Sequence, residues 1–199
     1  YIEATMPRQL ALAGPLSPAS VAWTPQRSVE MMDQNGIGVS LISISTPGIW
    51  IDGGPKSREL ARRCNEYAAK IVADHPGRFG FMAALPLPDV DGSLEEIRYA
   101  LDTLKADGIG LLTSYDNRWL GDPAFDKVFD ELDRRAARIF VHPTATDCCV
   151  NTIKVIPAAL YEFPFDTTRT IASLAYNGTL GRCQRLRFIF SHGGGALPM

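Results

Sequence analysis

No apolar stretch in the sequence reaches the roughly 18 residues that a membrane-spanning helix requires, and no basic segment followed by an apolar one resembles a secretion signal. Charge of neither sign is in excess, since 20 basic residues stand against 22 acidic ones and no basic stripe occurs. A nucleic-acid-binding protein is therefore disfavoured. We expect a globular protein of the cytoplasm that has neither a membrane nor a nucleic acid as its partner.

Cysteine, with four residues, and histidine, with three, are both scarce. Cys148 and Cys149 are adjacent and no two cysteines have Cys-x-x-Cys spacing, which disfavours a zinc knuckle and a disulfide framework. We therefore expect reduced thiols. Two glycine motifs are also missing. The absence of Gly-x-Gly-x-x-Gly disfavours a dinucleotide-binding sheet, and the absence of Gly-x-Ser-x-Gly disfavours a serine hydrolase.

Helix-like and strand-like segments alternate from about residue 25 onward. The strands are predicted to begin near residues 39, 78, 108, 138 and 187. Consecutive parallel strands with crossover helices give an open doubly wound sheet or a (β/α)8 barrel. Because the open sheet's glycine-rich turn is missing, we predict an α/β fold of the (β/α)8 TIM-like type, truncated at both ends. The expected single partial domain covers residues 1–199, with an irregular segment at 1–24 and βα repeats over 25–199.

Two helix boundaries are predicted from capping signals. Ser93 and Glu96 form a Ser-x-x-Glu capping box, which predicts a helix over residues 93–107. A late helix is predicted to begin at Asp166 or Thr167 and to end near residue 177.

Two of the histidines end apolar, strand-like runs: His142 closes the run at 138–142 and His192 the run at 187–192. In a parallel α/β architecture the carboxyl ends of the strands form the floor of the active site. An imidazole there can bind a metal or carry a proton near neutral pH. The alternative for His142 is a buried imidazole hydrogen-bonded to the backbone. His75 also precedes a proline but closes a predicted helix, where a capping role is expected.

Three glycines follow His192, at residues 193–195. They remove side chains where the chain leaves the barrel and so allow the backbone to approach a ligand, although a plain flexible loop is the alternative. Ser191 and His192 do not form a nucleophile–base pair, because adjacent residues of a strand point to opposite faces.

Two loops are candidates for shaping a substrate pocket. Trp50 follows the first predicted strand and could stack on a planar substrate, or could pack under its own loop. The segment at 163–169 lies between the two histidine strands and contains Phe163 and Arg169, whose guanidinium could hold a carboxylate. The alternative makes Asp166 and Thr167 capping residues and Arg169 a surface charge.

Five motifs occur in an order that resembles a known family. They are Ser-Thr-Pro-Gly at 45–48, Gly-Arg-Phe at 77–79, Phe-Val-His-Pro at 140–143, Phe-Pro-Phe-Asp-Thr-Thr at 163–168 and Phe-Ser-His-Gly-Gly-Gly at 190–195. Together they resemble the amidohydrolase-related, metal-dependent decarboxylases. This family includes the decarboxylases of aminocarboxymuconate semialdehyde, γ-resorcylate and 6-methylsalicylate.

The resemblance implies a distorted (β/α)8 barrel, of which about strands 2–6 are present, with one divalent metal ion, zinc first and manganese as the alternative. His142 matches the family's metal ligand on strand five, and His192 matches the strand-six histidine that moves protons beside the metal. The family's strand-one His-x-His or Glu-x-His pair and its late aspartate have no counterpart here. We therefore assign the function to a longer parent protein, expected from the resemblance to be a homodimer, and expect the fragment alone to be inactive.

We predict a metal-dependent, non-oxidative decarboxylase of a small aromatic or unsaturated carboxylic acid, such as a salicylate-type hydroxybenzoate. The metal would bind the substrate as a Lewis acid, and His192 would protonate the carbon that loses carbon dioxide. Trp50 and Phe163 would supply an apolar wall. Two alternatives stay open: a metal-dependent hydrolase of a lactone or amide at the same site, and an inactive, metal-free barrel fragment.

Overall fold

Helices and strands alternate through the part of the chain that the computed structural model describes, residues 22–50, 54–144, 146–149, 153 and 155–198. The first elements are α1 (Pro25–Gln34), β1 (Ser40–Ile42), α2 (Pro55–Asp74), β2 (Phe79–Ala84), α3 (Val90–Arg98), a π-helical turn (Tyr99–Thr103) and β3 (Gly108–Leu112). The later ones are β4 (Ser114–Tyr115), β5 (Arg118–Trp119), a 3-10 turn (Pro123–Phe125), α4 (Asp126–Arg134), β6 (Arg138–His142), α5 (Ala158–Tyr176), α6 (Thr179–Arg182), β7 (Arg187–Phe190) and a 3-10 turn (His192–Gly194). Among the described helices, none has the length and hydropathy that crossing a membrane requires. The irregular segment was predicted for residues 1–24, of which 1–21 lie outside the described residues.

The strands β1, β2, β3, β6 and β7 form one sheet in that order, and every neighbouring pair is parallel. A helix lies between each strand and the next one in the sheet, so the carboxyl ends of the strands meet at one edge. This is the predicted α/β arrangement, an arc of a (β/α)8 barrel. The short antiparallel hairpin of β4 and β5, inserted after β3, was not predicted.

The core lies between the sheet and its helices. One buried cluster includes Phe81, Ile109 and Ile139 from three neighbouring strands and Phe129 and Leu132 from α4, and all five residues are at most 2% exposed. This alternation buries one face of each strand against a helix and leaves the other face to the barrel interior.

The interior face is open at the two edge strands. Leu41 on β1 is 51% exposed and Ile189 on β7 is 45% exposed. Ile189 lies between Phe188 and Phe190, which pack against the core, so its side chain points to the opposite face. The described strands therefore form an open arc rather than a closed barrel.

The predicted capping box is wrong. The helix α3 begins three residues before Ser93, and Asp89 caps it by accepting a hydrogen bond from the Gly92 N–H at 3.0 Å. Ser93 and Glu96 are buried inside the helix, and the Glu96 carboxylate accepts a hydrogen bond from Asn65 of α2 at 2.8 Å. Packing between α2 and α3, rather than capping, accounts for the Ser-x-x-Glu pattern.

The predicted start of the late helix is also wrong, because α5 already begins at Ala158 and contains Pro164. A proline is typical of a first turn, which is why the sequence suggested a later start. Asp166 and Thr167 are therefore internal residues, 1% and 0% exposed. The Asp166 carboxylate accepts hydrogen bonds from two side chains of the segment that follows β3, so it does not cap a helix.

The prediction of reduced thiols is wrong for Cys148 and Cys149, which the structure joins in a disulfide. The two residues follow β6 and their Cα atoms are 3.8 Å apart, because they are adjacent in the chain. Cys64 and Cys183 are free thiols, as predicted. Burial raises the pKa of both thiols and so favours their protonated form.

Glu131 stabilises the end of α4, directly before β6. Hydrogen bonds from Arg134 at 2.7 Å and Arg135 at 2.6 Å lower the pKa of Glu131 to about 2, from a usual value of 4.5. Because the pKa of Glu131 is lower in the folded chain than in the unfolded chain, the ionised carboxylate stabilises the fold at a pH above 4.5. This contribution is lost as the pH falls toward about 2. We expect Glu131→Gln to reduce the free energy of unfolding by about 1 kcal/mol at pH 7 and by much less near pH 2, in urea unfolding.

Glu59 on α2 is the matched control, because its side chain is 72% exposed and lies 3.9 Å from Arg63. Glu59→Gln is expected to change the free energy of unfolding by less than about 0.5 kcal/mol at either pH. Equal losses in the two variants at pH 7 would contradict the role given to Glu131.

Candidate active site

The adjacent strands β6 and β7 bring His142 and His192 together at the carboxyl edge of the sheet. Their ring centroids are 5.7 Å apart. His142 is partly buried at the end of β6, while His192 is exposed just beyond β7. The two strand ends are held side by side by a hydrogen bond from the Ser191 N–H to the Val141 carbonyl oxygen at 3.1 Å. The structure thus gathers the two histidines that the sequence singled out.

His142 has one nitrogen available as a metal ligand. Its Nδ1 atom lies 2.8 Å from the carbonyl oxygen of Pro143, which can only accept, so Nδ1 carries the proton and Nε2 keeps a lone pair. Burial lowers the pKa of His142; the bond to Pro143 opposes this shift and the nearby His192 adds to it. The imidazole is therefore neutral at neutral pH, which is the form that binds divalent metals.

The described residues supply only part of a metal site. Among them, no group of three or more histidine, cysteine, aspartate or glutamate side chains is placed to hold one ion. His142 fits a divalent metal as a single nitrogen ligand, whereas about three protein ligands are usual for a catalytic zinc. The other ligands that the resemblance implies have no counterpart in the described part of the chain.

The loop after β1, which carries Trp50, is tied to the histidine end of β6. Thr46 Oγ1 donates a hydrogen bond at 2.7 Å to the carbonyl oxygen of Pro143, the same oxygen that holds the imidazole of His142. Trp50 lies half-buried further along this loop. The predicted pocket-forming loop is therefore anchored next to the candidate metal ligand.

The two other predicted substrate-binding residues lie on α5 and are placed differently. The Phe163 ring lies 6.1 Å from the His142 ring and 6.2 Å from the His192 ring, so the three rings form a triangle. Arg169 Nη1 instead donates to Glu162 Oε2 at 3.0 Å, and Glu162 is only 6% exposed. The guanidinium is therefore held along its own helix by a buried carboxylate.

Thr113, which follows β3 directly, connects β6 to α5 and was missed in the sequence. Its backbone N–H donates to the His142 carbonyl oxygen at 3.0 Å. Its Oγ1 accepts from the Thr144 N–H at 2.9 Å and donates to the Asp166 carboxylate. A lone polar residue at the end of an apolar strand was the only signal available for it.

The glycine segment after His192 packs closely against α5. Ala196 N–H donates to Thr168 Oγ1 at 2.8 Å. Gly195 has a φ of 71°, and a Cβ atom there would overlap the carbonyl oxygen of Pro164. Conformation and space both require glycine at this position, so a packed segment follows His192 rather than a plain flexible loop.

We expect Gly195→Ala to reduce the free energy of unfolding by about 2–3 kcal/mol in urea unfolding, because the new Cβ meets backbone at a strained φ. Gly193→Ala is the matched control, since Gly193 has a φ of 63° but nothing within 4 Å of a Cβ. That variant carries the backbone strain alone, about 1 kcal/mol. If both variants were equally stable, close packing against α5 would not be the reason for glycine at Gly195.

The parallel sheet with crossover helices is the arrangement of an arc of a (β/α)8 barrel, and the imidazole and aromatic groups of the candidate site lie at the carboxyl ends of its strands. The family model described as Amidohydrolase matches residues 21–198. The chain belongs to the amidohydrolase family.

Curated relatives of the chain are decarboxylases. Decarboxylase yanB of Aspergillus niger is 42% identical over 188 residues, which cover 89% of this chain and 51% of that protein. The 6-methylsalicylic acid decarboxylase acuB of Aspergillus aculeatus is 38% identical over 180 residues, which cover 88% of this chain and 54% of that protein. The chain thus spans about half the length of the curated relatives it matches. These findings confirm the predicted resemblance to the amidohydrolase-related decarboxylases.

A solved structure supports the fold. The 5-carboxyvanillate decarboxylase of Novosphingobium aromaticivorans, solved with bound manganese, matches with a TM-score of 0.86 and 23% sequence identity. The match covers 94% of this chain and 57% of that chain. The prediction of a TIM-like barrel fold is confirmed.

Proposed function

We propose that the intact protein is a metal-dependent, non-oxidative decarboxylase of a small aromatic carboxylic acid of the salicylate type. The observation that carries the proposal is the placement of two histidines at the carboxyl edge of the sheet. His142 is neutral and partly buried, His192 is exposed, and their ring centroids are 5.7 Å apart. Such a pair offers a metal ligand and a proton donor to one small molecule. The activity of the 6-methylsalicylic acid decarboxylase among the relatives supports the substrate class.

A divalent metal, when bound, would act as a Lewis acid on the substrate's carboxylate and a neighbouring oxygen. His142 would hold it through Nε2 while Nδ1 stays bonded to Pro143. His192 would donate a proton to the ring carbon as the bond to the carboxylate breaks. The electron pair of that bond remains on the ring carbon, the proton takes the place of the carboxylate, and carbon dioxide leaves. Because His192 is exposed, solvent can return the proton.

Phe163 and Trp50 would form the apolar wall around the substrate ring. Phe163 already lies against both imidazoles, and the loop of Trp50 is anchored at Pro143 beside them. An apolar wall excludes water and strengthens the charge interactions of the reacting carboxylate.

We propose manganese ahead of zinc as the metal. The decarboxylase structure from Novosphingobium aromaticivorans was solved with manganese, whereas zinc came only from the resemblance in sequence. Manganese also suits a site where the substrate's carboxylate would supply oxygen ligands, because oxygen ligands favour manganese. Metal analysis of the intact protein after growth with each metal decides between the two. The homodimer and the cytoplasmic location stay predictions.

The proposed function is tested by measuring carbon dioxide release from a panel of hydroxybenzoates by the intact, metal-loaded protein. Release from at least one ortho-hydroxybenzoate is expected. A matched panel of lactones and amides is assayed in parallel. Hydrolysis of the second panel without carbon dioxide release would favour the hydrolase alternative, and less than about 0.1 equivalents of bound metal would favour an inactive barrel.

Arg169 is proposed to hold a substrate oxygen, which requires it to exchange its bond with Glu162. We expect Arg169→Gln to raise KM about 10-fold, because the variant loses one charge-assisted hydrogen bond to the substrate. We expect kcat to change less than about 3-fold. Arg182→Gln is the matched control, because Arg182 pairs with Asp126 and Asp130 on the surface and is expected to leave KM unchanged. An unchanged KM for Arg169→Gln would mean that the arginine serves only its ion pair.

A further inference from the structure

Asp166 is a buried carboxylate that has no cation as a direct partner. It is 1% exposed, and among the described residues no ion pair includes it. The nearby Arg169 bonds to Glu162 instead. Burying a carboxylate without a direct ion pair is costly, so the hydrogen bonds of such a group are expected to have a specific purpose. Burial raises the pKa of Asp166, while the hydrogen bonds that it accepts and the positive charge of nearby Arg169 act against this shift.

The hydrogen bonds around Asp166 have fixed directions. Thr144 N–H can only donate, so Thr113 Oγ1 accepts from it at 2.9 Å and sends its own proton to Asp166 Oδ2. Trp119 Nε1–H donates to the other oxygen, Oδ1, at 2.9 Å. Both carboxylate oxygens therefore accept, which an amide in place of the carboxylate cannot do.

This network fastens α5 to the histidine end of β6. Thr113 also donates its backbone N–H to the His142 carbonyl oxygen, and its own carbonyl oxygen accepts from Thr170 Oγ1 of α5 at 2.9 Å. Asp166 lies three residues after Phe163, so both side chains lie on the same face of α5.

The same helix is joined to the segment that follows β7 by a separate contact. Thr168 Oγ1 accepts from the Ala196 N–H at 2.8 Å, just beyond the glycines that follow His192. The helix therefore contacts both segments that carry the histidines, and the Phe163 ring is about equally far from the two imidazoles.

We propose that Asp166 is a positioning residue, which sets the distance between His142 and His192 by fixing α5 to Thr113. Its side-chain hydrogen bonds within the described residues go to Thr113 and Trp119 rather than to either imidazole, so it acts through the helix and through Phe163. This inference rests on the proposed function, because the distance between a metal ligand and a proton donor matters only if a substrate lies between them. A displacement of about 1 Å at such a site can reduce a rate about 100-fold.

The test compares Asp166→Asn, Thr113→Val and Thr113→Ser in the intact, manganese-loaded protein. Asp166→Asn and Thr113→Val are expected to lower kcat about 10- to 100-fold, with KM within about 3-fold and the metal content unchanged. Thr113→Ser keeps the hydroxyl, so its kcat is expected to stay within about 3-fold of the unmodified protein. If Asp166→Asn does not fold, the two Thr113 variants decide the question.

Glu96→Gln is the control for a general loss of stability. Glu96 is 3% exposed and bonded to Asn65 and Arg62, away from the histidines. Glu96→Gln is expected to lower the melting temperature as much as Asp166→Asn does, while its kcat stays within about 2-fold of that of the unmodified protein. An equal loss of kcat in Glu96→Gln would show that stability alone is affected and would overturn the proposal.

Crystal structures of the variants give a readout that does not depend on activity. The His142–His192 centroid distance, 5.7 Å in the unmodified chain, is expected to change by about 1 Å in Asp166→Asn and Thr113→Val and to stay unchanged in Thr113→Ser. An unchanged distance in all variants would overturn the positioning role. If the unmodified protein released no carbon dioxide, the proposed function would fail, and this distance would still decide whether Asp166 positions the histidines.

Discussion

His142→Ala is expected to abolish carbon dioxide release by the intact protein, with kcat reduced at least about 1000-fold. The described part of the chain supplies one candidate metal nitrogen, Nε2 of His142, whose other nitrogen is held by Pro143. Alanine removes that ligand, so the bound metal is expected to fall together with the rate. Both are measured on one dialysed sample, the metal by elemental analysis and the rate by carbon dioxide trapping.

His75→Ala is the matched control, because His75 also precedes a proline. His75 lies at the end of α2 with its ring against Phe79, at a centroid distance of 5.6 Å, and not at the carboxyl edge of the sheet. We expect it to keep its metal and to retain kcat within about 2-fold. A His142→Ala protein that held metal and turned over like this control would exclude His142 as a ligand.

His192→Gln is expected to lower kcat about 100- to 10,000-fold, which is the usual contribution of a general acid, while metal content stays the same. The two variants are expected to differ in metal content because the histidines are placed differently: His192 is exposed beyond β7, whereas His142 is partly buried at the end of β6. Substrate affinity is expected to change less than about 3-fold, since glutamine still fills the place of the ring. Single-turnover kinetics with the metal-loaded variant measures the chemical step directly.

Two results would contradict this assignment to His192. Loss of metal from His192→Gln would make His192 a ligand rather than a proton donor. An unchanged rate of the chemical step would mean that another group, or solvent, supplies the proton. Gly193→Ala serves as the control for disturbance of the segment, because it changes the neighbouring residue in open space.

The histidine pair was predictable because its placement follows from strand periodicity. Apolar runs that end in His142 and His192 are strands of a βα repeat, and neighbouring parallel strands bring their carboxyl ends together. The contact of Phe163 with both rings was less accessible, since it depends on how α5 crosses the ends of β6 and β7. The direction of the Trp50 side chain was equally inaccessible, because it depends on the conformation of the loop that carries it.

Asp166 shows why part of the site was not predictable. Before two threonines and after a proline, an aspartate has the local pattern of a helix cap. Its actual partners, Thr113 and Trp119, are 53 and 47 residues away in the chain and come from the segment after β3 and from β5. A local pattern cannot distinguish a cap from a buried acceptor whose donors arrive through tertiary packing. The pairing of Arg169 with buried Glu162 was missed for a different reason, because the helix that carries both residues was predicted to begin only at Asp166 or Thr167.

We propose that His142 and His192 together replace the carboxylate of the substrate by a proton. It is tested by turnover of a panel of carboxyl-13C-labelled ortho-hydroxybenzoates, 6-methylsalicylate among them, by the intact, manganese-loaded protein in D2O, followed by NMR and mass spectrometry. One labelled carbon dioxide is expected per product, and one deuterium is expected on the ring carbon that carried the carboxylate. Retention of the label in a carboxylate product, or no turnover of any member of the panel by a protein with a full equivalent of metal, would overturn this assignment.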